Sequence, residues 1–516
     1  MRAGPRSFMC QTERMRSRNG PLCELVPGPI VIGMLAALVP LDCSPLTESC
    51  PVAPFAYPAT PAGAVVAEYV NAFDSGNAAT WARFQARYER SHHGTAKEYK
   101  RMHADLGCLE PLSIEHTPEA EALLTETAHG GYYELSFAFD DGGHLLFVRT
   151  MPAMGPGQNE PPSLRAAADE IGAEVDALSR QDRFSGAVLI TRHGQPVLAR
   201  AVGFADRAAH IPNQLETRFN IGSVGKTFTA VAIAQLVEQG KLRFDEPLGA
   251  ILPDYPLPAA LGITLPQLLM HTSGLGDITG FTRAKPAPET ASDFITLFGR
   301  APLLFAPGAS HRYSNLGYEV LGRVVEVASG QPFDAYVAAH VFLPLRMTET
   351  GAAPEEASKR AIRYTRPGND AAIEPREPTE PLPPLGGIGC EWSTVGDLAR
   401  YGDALLGSRL LGAATAEAML TPHTAWGLPS RPDRLERGYG YGFVSDRIDG
   451  ARVAYQDGGA PGLSAFFALF PEADVVLVVL ANQDPPSTLA MRAMKLIAYA
   501  ASHGAATGVA STGGSP

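Results

Sequence analysis

The sequence predicts an α+β architecture, on three observations. Strand-like apolar runs lie at both ends of the stretch from about residue 165 to 500, and helical spacing fills its middle. One sheet assembled from both ends, with a helical domain inserted between them, satisfies that order and leaves a cleft where the two meet. A smaller α+β pattern precedes this stretch, separated from it by Pro152, Gly155, Pro156, Gly157, Pro161 and Pro162. At 516 residues the chain exceeds one ordinary core, so two or three domains are expected. The division read from the sequence is a lead over 1–61, a small α+β domain over 62–150 and a linker over 151–162. The main domain follows over 163–503, then a Gly/Ser/Thr-rich tail over 504–516 that reads as disordered.

The elements follow in order. Arg14, Arg16 and Arg18 precede an apolar run from Val26 to Leu41 that Pro27, Pro29 and Pro40 interrupt. That pattern is too short and broken for a stable membrane span and reads as an export signal, with small residues between Ala59 and Ala64 as a cleavage region. The alternative is a disordered extension. Export implies a periplasmic or secreted protein; the alternative leaves it cytoplasmic. Val65 to Phe73 and Trp81 to Tyr88 carry helical spacing around the Asp74-Ser75-Gly76-Asn77 turn. Tyr132 to Phe139 and His144 to Arg149 form a hairpin about Asp140-Asp141-Gly142-Gly143. This pattern faintly resembles the cone-shaped helix-plus-curved-sheet modules of the nuclear-transport-factor-like superfamily.

Leu164 to Leu178 is an amphipathic helix, and Ser185 to Val202 a hairpin around His193-Gly194. From Ser223 to about Gln239 apolar residues occupy more than one helical face, which predicts a buried helix stopped by Gly240. Pro375 to Pro384 has no period. Leu463 to Phe470 and Val475 to Leu480 are strands, and Ser487 to Ala500 a closing helix. The net charge of −12 and a pI near 5.6 disfavour nucleic acid and anionic membranes as partners. Four of the six cysteines, Cys10, Cys23, Cys43 and Cys50, crowd the first fifty residues; the remaining two are Cys108 and Cys390. The spacing reads neither as a disulfide framework nor as a metal site.

The chemistry concentrates in two short segments. Ser223-Val224-Gly225-Lys226 sets a hydroxyl and an amine about one turn apart on one helical face. A serine needs a base to take its proton, and a lysine serves when neutral, a form that desolvation favours. The helix start also supplies backbone N–H groups for developing negative charge. Alone, the spacing is a weak signal and more often marks a helix-capping serine followed by a surface lysine. Gly225-Lys226-Thr227 also looks like the end of a phosphate-binding loop, but Asn220 stands where that motif needs glycine. Tyr313-Ser314-Asn315, after Pro307-Gly308, adds a phenol able to shuttle a proton and an amide able to orient the lysine or hold a carbonyl. Ser314 or Asn315 could also simply cap the next helix. His271 reads as structural, and Cys390 as a packed cysteine rather than a nucleophile.

The ordered set resembles the β-lactamase-related serine hydrolases: class C β-lactamases, D-Ala-D-Ala carboxypeptidases and esterases of that fold. The resemblance rests on Arg218 to Lys226, Leu268 to Leu275, Pro307-Gly308 with Tyr313 to Tyr318, and Asp457 to Gly462, over about residues 168 to 500. It implies an α/β sandwich: an antiparallel sheet flanked by the terminal helices, with an inserted all-helical domain. It also implies Ser223 as acylated nucleophile, Lys226 and Tyr313 jointly as base and acid, Asn315 as substrate ligand, and an oxyanion hole from the N–H groups of Ser223 and Gly459. The third motif departs from the family. Gln456, two residues before Gly458, stands where members carry lysine or histidine. A glutamine hydrogen-bonds but carries no charge, which disfavours substrate carboxylates and leaves neutral esters or amides. The expectation is therefore a serine hydrolase acting through an acyl-enzyme on a small ester, amide or peptide, without metal or organic cofactor. A D-Ala-D-Ala carboxypeptidase or β-lactamase proper, and a catalytically silent ligand-binding relative, are the alternatives. The sequence does not set the oligomeric state.

Overall fold

The structure, a computed structural model, describes residue 50 and residues 55–503, apart from 90–98, 101, 104–105, 117–120, 129–131, 141, 154–160, 162, 279–289, 353–358, 366–373, 376–385, 390, 426–437 and 484–486. The chain divides into two compact units, residues 1–48 and 49–516. The export-signal reading, the tail and most of the Pro375 to Pro384 stretch lie outside the described residues, as does Cys390.

Within the second unit, helices α1 (Pro61–Asp74) and α2 (Ala78–Tyr88) precede four strands, β1 (Leu109–His116), β2 (Glu121–Thr127), β3 (Tyr132–Phe139) and β4 (Leu145–Ala153). The strands form an antiparallel sheet in the order β1-β2-β3-β4. Thr60 and Asn77 cap the two helices by accepting N–H groups of the first turn. The core of this part is aromatic: the Tyr69 ring stands edge-on to Trp81, Phe84 and Phe137 at 5.0, 5.6 and 5.0 Å. Two features correct the sequence reading. Strand β4 runs through Met151, Pro152 and Ala153, which the linker was expected to contain; β4 is an edge strand, where a proline costs no ladder bond. A disulfide joins Cys50 to Cys108, 58 residues apart, a pairing that no local spacing announces.

The main body is an α/β sandwich. Strands β5 (Gly186–Arg192) and β6 (Gln195–Val202) form a hairpin whose turn residues His193 and Gly194 both hold positive φ, 51° and 69°. The other strands of their sheet come from the far end of the chain: β9 (Thr424–Ala425), β10 (Gly438–Tyr439), β11 (Val444–Ile448), β12 (Ala451–Ala460), β13 (Leu463–Phe470) and β14 (Val475–Ala481). The order is β9-β10-β11-β12-β13-β14-β5-β6, antiparallel throughout. Strand β14 is buried along its whole length, and its side chains alternate between two cores. Val475, Leu477, Val479 and Ala481 pack under the terminal helices α3 (Leu164–Arg180) and α9 (Ser487–His503). Val476, Val478 and Leu480 face the helical insertion.

That insertion contains α4 (Lys226–Glu238), α5 (Leu265–Leu269), α6 (Ala291–Phe298), α7 (Asn315–Ser329) and α8 (Val395–Leu406). Helix α4 is buried from Lys226 to Leu236 without a polar face, as its all-round apolar pattern requires. Phe228 packs edge-on to Tyr401 of α8 at 4.8 Å. The short pair β7 (Phe219–Asn220) and β8 (Trp392–Ser393) ties the start of α4 to the chain entering α8. Sequence periodicity missed β1, β2 and β7 to β12. Strand β12 contains Gln456-Asp457-Gly458-Gly459, too polar and glycine-rich to show alternation.

Phe467 of β13 is fully buried between Tyr401 and Phe443, with ring centroids 5.6 and 6.3 Å away. Phe467→Ala should destabilise the fold by about 3–5 kcal/mol, read as a lowered urea midpoint with an unchanged slope.

Candidate active site

Two distant segments shape the turn before α4. Asn220 pairs with Trp392, and the Ile221 N–H donates to the Glu391 carbonyl at 2.9 Å. The Asn220 Oδ1 accepts the Gly222 N–H at 3.0 Å, and Val224 N–H donates to the Ile221 carbonyl at 3.1 Å. The backbone therefore winds as a 3-10 turn over Gly222–Gly225, and the α-helix begins at Lys226, three residues later than the sequence reading expected. With three residues per turn, side chains at i and i+3 eclipse, which brings Ser223 and Lys226 closer than an α-helix does.

Lys226 is fully buried. Its Nζ donates to Ser223 Oγ at 2.9 Å and to the Ile388 carbonyl at 2.9 Å. From the loop before α7, the Tyr313 hydroxyl donates to the same Ser223 Oγ at 2.8 Å. Ser223, Lys226 and Tyr313 thus converge on one oxygen, and Lys226 Nζ also lies 5.1 Å from the Tyr313 ring centre and 5.7 Å from that of Tyr318. Ser223 is half-buried, so the shared oxygen lies at the edge of the packed region.

Asn315 is the first residue of α7, and Ser314 is its cap: Ser314 Oγ accepts the Gly317 N–H at 2.9 Å and donates to the Gly276 carbonyl at 2.7 Å. The capping role and a position beside the site coexist in this tripeptide. The hydrogen bonds of Lys226 go to Ser223 and Ile388 rather than to the Asn315 amide.

His271 occupies the left-handed region at φ 59°, just past α5. Its Nδ1 accepts the Ser314 N–H at 3.1 Å, so the proton of the neutral ring sits on Nε2, 3.2 Å from the Tyr439 hydroxyl. Tyr439 in turn donates to Gln456 Oε1 at 3.0 Å, and Gln456 Nε2 donates to the Asp457 carbonyl at 3.3 Å. A buried relay therefore runs from the Tyr313 loop to strand β12 and turns the Gln456 carboxamide inward. Burial, with the His311 and Lys226 charges adding to it, holds His271 well below the usual histidine range; burial lowers His311 to about 4. The same burial pushes Tyr318 and Tyr439 well up.

Strand β12 lies directly under the serine turn. A Cβ built on Gly458 would stand 2.1 Å from the Ile221 carbonyl oxygen and 2.9 Å from Ser223 N, so only glycine admits this approach. Gly459 next to it is exposed and faces open space. Four groups escaped sequence reasoning: the Ile388 carbonyl on Lys226, Tyr439 in the relay, and the buried carboxyls of Glu319 and Glu391. Glu319 directly follows the recognised Tyr313-to-Tyr318 motif, but nothing in one sequence marks either glutamate as buried.

This fold and this convergence define a class. Residues 164–502 match the family model described as Beta-lactamase, and the chain belongs to the beta-lactamase family. Among curated relatives, Esterase EstB of Burkholderia gladioli is 33% identical over 328 residues, covering 57% of this chain and 83% of that protein. Penicillin-binding protein 4 of Amycolatopsis lactamdurans is 29% identical over 320 residues, covering 60% and 83%. Among solved structures, a penicillin-binding protein from Bacillus halodurans superposes with a TM-score of 0.55 at 34% identity, covering 62% of this chain and 98% of that one.

Two predictions follow from this geometry. Gly458→Ala should force β12 away from the Ile221 carbonyl and destabilise the fold by about 1–3 kcal/mol, read as a lowered urea midpoint. The second concerns pH. The folded-state value of His311 is about 4 against an ordinary 6.5. Its contribution to stability is complete above the unfolded value and disappears as pH falls towards the folded one. Relative to the parent, His311→Gln should therefore gain about 1.4 kcal/mol per pH unit of acidification across that window, measured by urea unfolding.

Proposed function

We propose that this protein is a serine hydrolase that cleaves neutral esters or amides through an acyl-enzyme at Ser223. The carrying observation is the Ser223 hydroxyl held between the Lys226 amine at 2.9 Å and the Tyr313 phenol at 2.8 Å. Ser223 Oγ attacks the substrate carbonyl carbon while its proton passes to the Lys226–Tyr313 pair. The N–H groups of Ser223 and Gly459 receive the oxyanion. Tyr313 returns the proton to the leaving group, and water releases the acid by the reverse sequence. Asn315 is assigned to hold the substrate.

The esterase relative supports an ester substrate, and Gln456 supports a neutral one. Its oxygen is committed to Tyr439, and a carboxamide offers no charge to a substrate carboxylate. Carboxypeptidase or β-lactamase action is the lesser reading on that ground. We assign the two helices and four strands from Pro61 to Ala153 to a small domain of their own. Export is the proposed fate: the Cys50–Cys108 disulfide belongs to an oxidising compartment, and no helix among the described residues is long and apolar enough to cross a membrane. Cleavage between Ala59 and Ala64 would put Cys50 on the leader, so that its removal would cost Cys108 its disulfide partner, and would cut at the α1 cap, so we place any processing site before Cys50.

Purified protein should hydrolyse a short-chain p-nitrophenyl ester and react with a fluorophosphonate. Ser223→Ala should abolish labelling and reduce turnover on the order of 10³-fold or more. Labelling that survives Ser223→Ala, or a D-Ala-D-Ala peptide cleaved faster than the ester, would refute the assignment.

A further inference from the structure

Two carboxylic acids are buried beside the site with oxygens that lack a hydrogen-bond partner, and the acyl-transfer scheme above uses neither. Glu391 precedes the β8 strand that pairs with β7. A Cβ built on Gly225 would lie 2.0 Å from Glu391 Oε2, so that oxygen rests on the backbone immediately before Lys226. Glu391 is 3% exposed, and Oε2 has no partner. Glu319, on α7 next to Tyr318, is 1% exposed, and neither of its carboxyl oxygens has a partner. A Cβ on Gly386 would fall 2.8 Å from Glu319 Oε2, which places this second carboxyl against the segment whose Ile388 carbonyl holds Lys226.

Leaving a buried carboxyl oxygen unpaired costs free energy on the order of 1–3 kcal/mol, and more if the group is charged. Two such groups, on different elements and converging on one buried amine, need a reason. We propose that Glu391 and Glu319 are the counter-charges of Lys226, stabilising the lysinium that forms when Ser223 gives up its proton. This rests on the hydrolase reading and goes beyond it. In the step concerned the Oγ–H bond breaks, its electron pair forms the bond to the carbonyl carbon, and the proton binds Nζ. The ammonium so created is sealed from water, with Ser223 and Ile388 as its hydrogen-bond partners. The two carboxyls supply the compensating negative charge through space. Both are positioning residues that touch no substrate.

The electrostatics agree. Burial pushes each carboxyl up to about 7; Lys226 and then the Gly387 N–H oppose that rise in Glu319, which the Glu391 charge adds to, and the backbone N–H of Glu391 and then Lys226 oppose it in Glu391. The other titratable groups facing this region are His271, His311, Tyr313, Tyr318, Tyr439 and, from α8, Tyr401. Burial keeps both histidines neutral and pushes Tyr318, Tyr401 and Tyr439 up, so these five supply no compensating charge near neutrality. Glu326 and Asp457 act at longer range, on Glu319 and Tyr439 respectively.

The test uses the full chain and ester hydrolysis against pH. Glu391→Gln and Glu319→Gln keep shape and remove charge. Each should move the acid limb of kcat/KM to lower pH by about one unit, because the free amine then survives further into acid. Each should also lower the plateau kcat about tenfold, because the lysinium loses its counter-charge. A pH profile of unchanged shape and position in both variants, whatever its height, overturns the proposal, since a merely structural role predicts that outcome. If neither variant folds, the infrared spectrum of the parent decides. A protonated-carboxyl stretch should shift when a fluorophosphonate occupies Ser223, and no carboxyl band responding to the label would overturn the inference. A parent that takes no label refutes the hydrolase reading instead, so the two failures are distinct.

Discussion

One constraint orders this structure: an amine at the start of a helix must be kept out of water and still reach a hydroxyl that substrate can reach. Lys226 meets it by opening a helix that is apolar on every side, so the fold that buries the helix also buries the amine. Its hydrogen bonds are then few and fixed, one to Ser223 and one to a backbone carbonyl. A surface lysine would exchange these with water. Here the low-polarity surroundings give each remaining charge and dipole weight, which is why two buried carboxyls nearby matter.

The rest of the site is a frame around that amine. The β7–β8 pair and the Asn220 side chain fix the 3-10 turn, which eclipses Ser223 over Lys226. Glycine at 458 lets strand β12 lie against the turn at backbone distance. The relay Ser314–His271–Tyr439–Gln456 joins the loop that carries Tyr313 to that same strand. Each piece comes from a different stretch of sequence, and each is held by backbone groups or by buried polar groups that have partners. Such a site is rigid because moving one element leaves a buried donor or acceptor unpaired.

Gln456 shows how a substitution is absorbed. In place of the cation that the family resemblance leads one to expect, a neutral amide accepts from Tyr439 and lies buried. The histidine on the far side of that tyrosine is neutral as well, chiefly because it is buried. The polar cluster is consequently uncharged from His271 to Gln456. That is the physical basis for reading the site as one for neutral acyl groups.

Much of this was legible in one dimension. The apolar runs of β5, β13 and β14 and the helices α3, α4 and α9 announce themselves by period, because burial on one or both faces leaves a local pattern. Ser223, Lys226 and Tyr313 were legible as a spacing and a motif order. Strands β10 to β12 were not: β10 and β11 are short, and in β12 the run Gln456 to Gly459 that packs against the serine turn interrupts the apolar alternation. Nor was the Cys50–Cys108 bond, which depends on where two distant segments meet. The sequence by itself determined which groups were available for chemistry and which segments had to be buried. Only the tertiary structure decided that Glu319 and Glu391 lie dry beside Lys226, that Gln456 faces Tyr439, and that the tyrosine at 313 reaches the serine. The reason is that burial, desolvation and hydrogen-bond partnership belong to pairs of segments far apart along the chain, and no single segment encodes them.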